Sequence, residues 1–231
     1  MTHSSTRPFD SVTAARIARA YLPGHPLGNR WDYYYSRAKL GSDPLYPGVL
    51  QALRGSQAPV LDLGCGLGLL AHALRQDGQT MAYRGVDNDA AKIGRAIKVA
   101  RRNELREVAF DVVDLAKGPP AHAGSVAILD VLQYLSAEDQ AKLIADAIAM
   151  LIPGARLVIR TALGDDSRRG RTSRLTDRLA NLIGWMQFRP KCYPDADTLR
   201  AQLDAAQLQV SFAPLYGNTP FNNWLIVATR P

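Results

Sequence analysis

Three glycines at alternate positions, Gly64, Gly66 and Gly68, follow the short apolar run Val60-Leu61-Asp62-Leu63. Glycine loses more backbone freedom on folding than any other residue. Three together therefore imply a tight turn, or a ligand approaching the backbone where a Cβ would stand. Asp62 sits two residues before the first of them. Other acids close other apolar runs: Asp87 in Gly85-Val86-Asp87-Asn88, Asp114 in Val112-Val113-Asp114-Leu115, and Asp130 in Ile128-Leu129-Asp130. Asp111 competes with Asp114 for the same place. A glycine turn opening a helix lets a ligand approach and aims free amides at it, which suits a nucleotide-like ligand.

Groups that could move a proton are few. Gln133, just beyond Asp130, carries an amide that cannot serve as a base, and Tyr134 follows it. The histidines are His3, His25, His72 and His122. His25, in Pro23-Gly24-His25-Pro26, is the one expected to overhang a site. His72 and His122 are expected to be structural or solvated. Tyr33, Tyr34 and Tyr35 suit an aromatic lid or the packing of their segment onto a core. Arg160 and Thr161 close another apolar run, and an arginine there suits a carboxylate or phosphate. Asn222, Asn223 and Trp224 could complete a wall. Cys65 and Cys192 are the only cysteines, which leaves no disulfide framework or four-cysteine zinc site. Cys65 reads as a small filler, and no metal is expected.

The elements that must position these residues alternate in period. Strands are predicted at about 59–63, 82–86, 107–112, 125–130 and 155–160, with helices near 67–76, 90–102 and 136–151. Such alternation predicts a parallel sheet covered by helices. Ser136 followed by Asp139 resembles a capping box, and Pro153-Gly154 stops the third helix. Two further strands, about 208–214 and 222–229, are separated by a link too short for a crossover helix, so they should pair antiparallel. The expected fold is a Rossmann-like, doubly wound α/β sheet of seven strands, mostly parallel, with a terminal antiparallel hairpin. Residues 1–50 form an extension or cap, helical near 10–21, and residues 51–231 the main domain. An insertion at about 162–194 carries Leu175, Leu179, Leu182, Ile183 and Met186 at helical spacing with arginines opposite.

With 231 residues the chain suits one domain. It has no run approaching the roughly 18 apolar residues of a spanning helix, and its first residues lack a signal-peptide pattern. A cytoplasmic setting is expected. The net charge of +7 favours acidic partners. Residues 156–191 hold nine Arg or Lys against three acids, and residues 92–106 six against one. The same excess fits a solvated helix face.

The dinucleotide fingerprint G-x-G-x-x-G would need its third glycine at Leu69. Here the spacing is G-x-G-x-G. Val60-Leu-Asp-Leu-Gly-Cys-Gly-Leu-Gly68 resembles the first motif of class I S-adenosylmethionine-dependent methyltransferases. The resemblance extends to Gly85–Asp89, Val108–Ala116, Ser125–Leu135 and Leu151–Ala162. It implies S-adenosylmethionine as cofactor, bound by Asp62, Gly64, Cys65, Gly66 and Gly68 at the turn. It further implies Asp87 on the ribose, Asn88, Asp114 and Leu115 beside the adenine, and Asp130 near the methionine end. Gln133 and Tyr134, with His25, are then the catalytic candidates. Tyr34, Tyr35, Arg160 and Trp224 are the substrate candidates. Relatives methylating base amines usually carry N-P-P-Y or D-P-P-Y where Asp130-Val-Leu-Gln133 stands, so nucleic acid is a disfavoured partner.

A narrower resemblance rests on Tyr33–Leu53, Gly184-Trp-Met186 and Thr219–Val227. These look similar to methyltransferases of bacterial aryl polyene (xanthomonadin-type) pigment clusters. That similarity implies a small aromatic or polyene-acyl substrate, held for example on an acidic acyl carrier protein. A basic segment at 171–187 would then dock a carrier or lie on a membrane surface, and the protein would be peripheral to the inner membrane. Two other readings stay open: an RNA or protein methyltransferase using the basic face, and a cofactor-binding partner protein without turnover.

Overall fold

A strand buried on both faces must be apolar on both. Such a strand is β1 (Val60–Leu63), whose four residues are all buried, Asp62 included. In the computed structural model, which describes residues 6–164, 190–217, 219 and 222–231, β1 lies inside a seven-stranded sheet of order β3-β2-β1-β4-β5-β7-β6. β2 (Tyr83–Asp87) and β4 (Ser125–Leu129) flank it in parallel, with Asp62 opposite Gly85 and Ala127. β3 (Val108–Val112) extends the sheet beyond β2, and β5 (Arg156–Ala162) beyond β4. The strand order reverses between β1 and β4. Ligands of open α/β sheets bind above the strand ends at such a point.

The last two strands form the expected antiparallel pair. β6 (Gln209–Pro214) takes the edge, and β7 (Asn223–Thr229) inserts between it and β5. The fold is thus the Rossmann-like seven-stranded sheet expected.

Helices cover both faces. On one side α4 (Leu69–Gln76) and α5 (Ala90–Arg102) pack with the extension. On the other lie α6 (Ala137–Ala149) and α7 (Ala196–Ala205), the latter absent from the sequence expectations. Local chemistry sets the boundaries. Asp89 accepts the Ala91 and Lys92 amides at the start of α5, and Ser136 accepts the Asp139 amide at the start of α6.

The extension is built from α1 (Ser11–Ala18), a 3-10 turn (Arg19–Tyr21), α2 (Trp31–Ser42) and α3 (Leu45–Leu53). The expected helix near 10–21 is α1 with its following turn. The Trp31–Tyr35 cluster opens α2. Ile17, Tyr21, Leu40 and Leu53 share one core with Val60, Ala127 and Val158 of the sheet and with Leu70 of α4. The extension is therefore packed onto the sheet, and α3 runs through residue 50. The amphipathic stretch at 171–187, with Gly184-Trp-Met186, lies outside the described residues.

Candidate active site

The glycine turn leaves β1 with left-handed backbone at Gly64 (φ +83°), Gly66 (φ +56°) and Gly68 (φ +73°). The Gly64 and Cys65 amides both donate to the Val86 carbonyl, at 2.7 and 3.0 Å, which pins the turn onto β2. The three glycines answer different demands. A Cβ on Gly64 would lie 2.4 Å from Val131 Cγ2, and one on Gly68 2.5 Å from the Phe110 ring; at Gly66 it would meet open space. Gly64 and Gly68 allow close packing, and Gly66 presents bare backbone to whatever occupies the site.

Asp87, ending β2, reaches across to this turn. Its Oδ2 accepts the Gly66 amide at 3.0 Å while Oδ1 accepts the Asp89 amide at 2.9 Å. Asn88 beside it is exposed. Asp62 lies beneath, where Tyr83 donates its hydroxyl to Oδ2 at 2.7 Å and the buried Oδ1 has no partner among the described residues. Burial pushes Asp62 up to about 7, against the Tyr83 hydrogen bond and with a further push from Asp87. Cys65 covers Gly85, where an added Cβ would be 2.8 Å from its sulfur, and burial raises its thiol far above the ordinary range. That makes it a protonated packing group.

At the next strand end, Asp114 is exposed and caps a 3-10 turn (Leu115–Lys117) by accepting the Ala116 amide. Leu115 is half-buried against the core. Asp111 instead pairs with Arg84 at 2.8 Å within the strands. Of the two acids, Asp114 is the one beyond the strand end.

Asp130, following β4, holds a left-handed backbone (φ +60°). Such a conformation in a non-glycine residue is uncommon and collects at functional sites. Its carboxylate is paired with the Arg160 guanidinium and with Lys39 Nζ at 3.3 Å. Asp43 completes a closed network, meeting Arg160 at 2.9 Å and Lys39 at 2.7 Å. Burial opposes charge on Asp130, but Arg160 and Lys39 outweigh it and hold the carboxyl below its ordinary value. Arg160 is only 3% exposed. Its expected role toward a substrate anion meets a physical obstacle: two internal carboxylates already take its guanidinium.

Gln133 and Tyr134 lie in a 3-10 turn (Leu132–Tyr134) beside this network. Thr161 Oγ1 donates to Gln133 Oε1 at 3.4 Å, and the Lys191 and Cys192 amides donate to the Gln133 carbonyl. The chain returning after residue 189 is thus tied to the turn. Tyr34 is exposed and meets Tyr33 edge-on at 5.1 Å, whereas Tyr35 shares a helix face with Lys39. Trp224 is half-buried on β7 and donates Nε1–H to Asn222 at 3.2 Å. His25 sits in an exposed turn before α2, its carbonyl accepting the Gly28 amide. Nothing places its ring beside Gln133.

Sequence reasoning missed Lys39, Asp43 and Tyr21. The i,i+4 spacing of Lys39 and Asp43 hints at an ion pair, but their reach to Asp130 and Arg160 has no local signal. Tyr21 donates its hydroxyl to the Leu67 carbonyl at 2.9 Å, so the extension buttresses the glycine turn directly. No group of three His, Cys, Asp or Glu residues suited to a metal exists among the described residues.

The solved structures that match include methyltransferases. An O-methyltransferase family protein from Burkholderia thailandensis aligns with a TM-score of 0.62 at 20% identity over 86% of this chain and 59% of its own. This chain thus spans under two thirds of that protein. Magnesium protoporphyrin IX methyltransferase from Synechocystis PCC 6803, with bound SAH, gives 0.64 at 20% over 96% of each chain. The pyocyanin biosynthetic protein PhzM gives 0.65 at 18% over 92% of this chain and 61% of its own. No curated protein sequence matches. Fold and glycine turn together define the Rossmann-like methyltransferase class. The methyltransferase-domain family profile matches residues 41–211, and the chain belongs to that family. Its cofactor is S-adenosylmethionine. The open face of Gly66, the doubly anchored Asp87 and the unpartnered Asp62 oxygen fit that group.

Proposed function

We propose that the protein transfers a methyl group from S-adenosylmethionine to a small aromatic or polyene-acyl acceptor, presented on an acidic carrier protein. The cofactor supplies an activated sulfonium methyl, so the protein's main task is alignment. Gly66 and Asp87 would bind it, and Asp62 would meet its cationic end. Gln133 and Tyr134 would orient the acceptor, with Tyr35 forming part of the mouth. The observation that carries this reading is the meeting of extension and sheet at one strand edge, where Lys39 of α2 pairs with Asp130 beside the glycine turn. Neighbouring folds include enzymes of magnesium protoporphyrin IX, pyocyanin and mitomycin chemistry. Similarity to aryl polyene methyltransferases at Tyr33–Leu53 supports the polyene-acyl class, and the basic sequence at 171–187 suits a carrier.

The test is transfer of labelled methyl from the cofactor to phenolic and polyene-acyl acceptors, free and attached to acyl carrier protein. Gln133→Ala should lower turnover while leaving S-adenosylhomocysteine affinity unchanged. The acid-free sequence of α5, with exposed Arg95, Lys98 and Arg101, favours RNA as a second reading. Label in RNA, with steep salt dependence, would replace the first.

A further inference from the structure

Large apolar side chains rarely stand exposed in groups on a soluble surface. Leu27 is 96% exposed, Trp31 60%, Tyr34 56% and Tyr35 46%. The last three are on α2, whose inward side is marked by buried Ser36 and Leu40. At about 100° per residue, Trp31, Tyr34, Tyr35 and Ala38 form the outward arc. Exposed Arg30 and Arg37 border one side of it. Lys39 borders the other and leads into the ion network beside Asp130.

The charge around this arc has one sign. The only acid within α2 is Asp32, which pairs with Arg95 of α5 at 3.3 Å. That contact brings α5 alongside, with Lys98 and Arg101 also exposed and no acid in the helix. The extension adds exposed Arg16 on α1 and Arg19 in the 3-10 turn that follows it.

We propose that this face rests on an anionic lipid surface. Leu27, Trp31 and Tyr34 enter the headgroup layer, and Arg30, Arg37, Arg95 and Lys98 meet the lipid phosphates. Aromatic residues with a polar tip favour that layer, and basic residues at its edge add attraction to anionic lipid. An acidic protein partner would use the basic residues, but an aliphatic side chain as exposed as Leu27 gains little from a hydrated acidic surface. The acyl interior beneath the headgroups does accommodate it. Tyr35 and Lys39 then bring the mouth of the site to the lipid boundary. The inference does not depend on which acceptor is methylated.

The experiment is co-sedimentation with vesicles of phosphatidylcholine, alone or mixed with phosphatidylglycerol, using the full chain. Wild type should bind the mixed vesicles and barely bind the neutral ones, with a blue shift in tryptophan emission that is missing in Trp31→Phe. Each of Arg30→Gln and Arg37→Gln should weaken binding roughly fivefold. Leu27→Ser/Trp31→Ser should abolish the apolar part, leaving only weak, salt-sensitive attachment. S-adenosylhomocysteine binding by the same variants checks that they fold and must remain at the wild-type level. No attachment of wild type to mixed vesicles overturns the proposal. So does attachment that the serine variant retains in full. Capture of purified acyl carrier protein that is lost in Leu27→Ser/Trp31→Ser, without vesicle binding, would reassign the face to a protein.

Discussion

Arg160 on β5 and Asp43 before α3 meet at 2.9 Å with side chains 4% and 8% exposed. This buried pair fastens the extension to the sheet at the edge where the site lies. Removing one partner of a buried pair leaves the other charge uncompensated, at a cost of about 3–5 kcal/mol. Asp43→Ala should lose stability in that range, because the Leu45 amide also loses its acceptor. Urea unfolding with an unchanged m-value is the measurement. A loss below about 1 kcal/mol would mean that the network adds little.

Gly64 and Gly66 should respond oppositely to alanine. A methyl at Gly64 collides with Val131, so Gly64→Ala should destabilise the fold. Gly66→Ala meets open space and should cost only about 1 kcal/mol for its left-handed backbone, yet block the cofactor. Thermal unfolding beside calorimetric titration with S-adenosylhomocysteine separates the two effects. Equal losses of stability would contradict the assignment of Gly66 to the ligand.

Asp87 holds the Gly66 amide and lies where the resemblance puts the ribose hydroxyls. A hydrogen bond to a charged group contributes about 1.5–3 kcal/mol. Asp87→Ala should therefore weaken S-adenosylhomocysteine at least roughly tenfold, and Asp87→Asn less. Both variants should remain folded, since Asp87 is only half-buried. Wild-type affinity in Asp87→Ala would remove it from the site.

Asp62 gives the cofactor-free protein a pH signature. Its folded value, near 7, lies above the ordinary carboxylate value, so the folded state binds this proton more tightly than the unfolded chain. Its contribution is full below the unfolded value and is lost as pH rises from about 4 to about 7, by up to about 1.4 kcal/mol per unit. The difference in unfolding free energy between wild type and Asp62→Asn should therefore shift against wild type across that window. A flat difference would show that Asp62 is charged throughout.

Much of this architecture was legible because it follows local periodicity. Apolar runs at 59–63 and 125–130 fall on β1 and β4, and the helix expected at 90–102 is α5. The hairpin followed from the short link between β6 and β7. The candidate acids stood out because Asp62 lies within an apolar strand run and Asp87, Asp114 and Asp130 lie at or just beyond strand ends. What escaped depends on distance. Lys39 and Asp130 are ninety-one residues apart in sequence, and no pattern near either announces the other. Arg160 looked available to a substrate because its two partners are distant in sequence: Asp43 comes from the extension and Asp130 from the end of β4. α2 escaped because its aromatic cluster read as a lid, not as the outward side of a helix, and α7 carries a short, weakly apolar pattern.

The position of β7 has a consequence for synthesis. The strands through β5 can pair as soon as they leave the ribosome, but β5 then shows an unpaired edge of seven residues, six of them buried in the finished sheet. β6 cannot cover it, because β7 separates them. Translation must therefore reach β7 before that edge closes, and a nascent chain stalled at β6 would present a sticky strand to its neighbours.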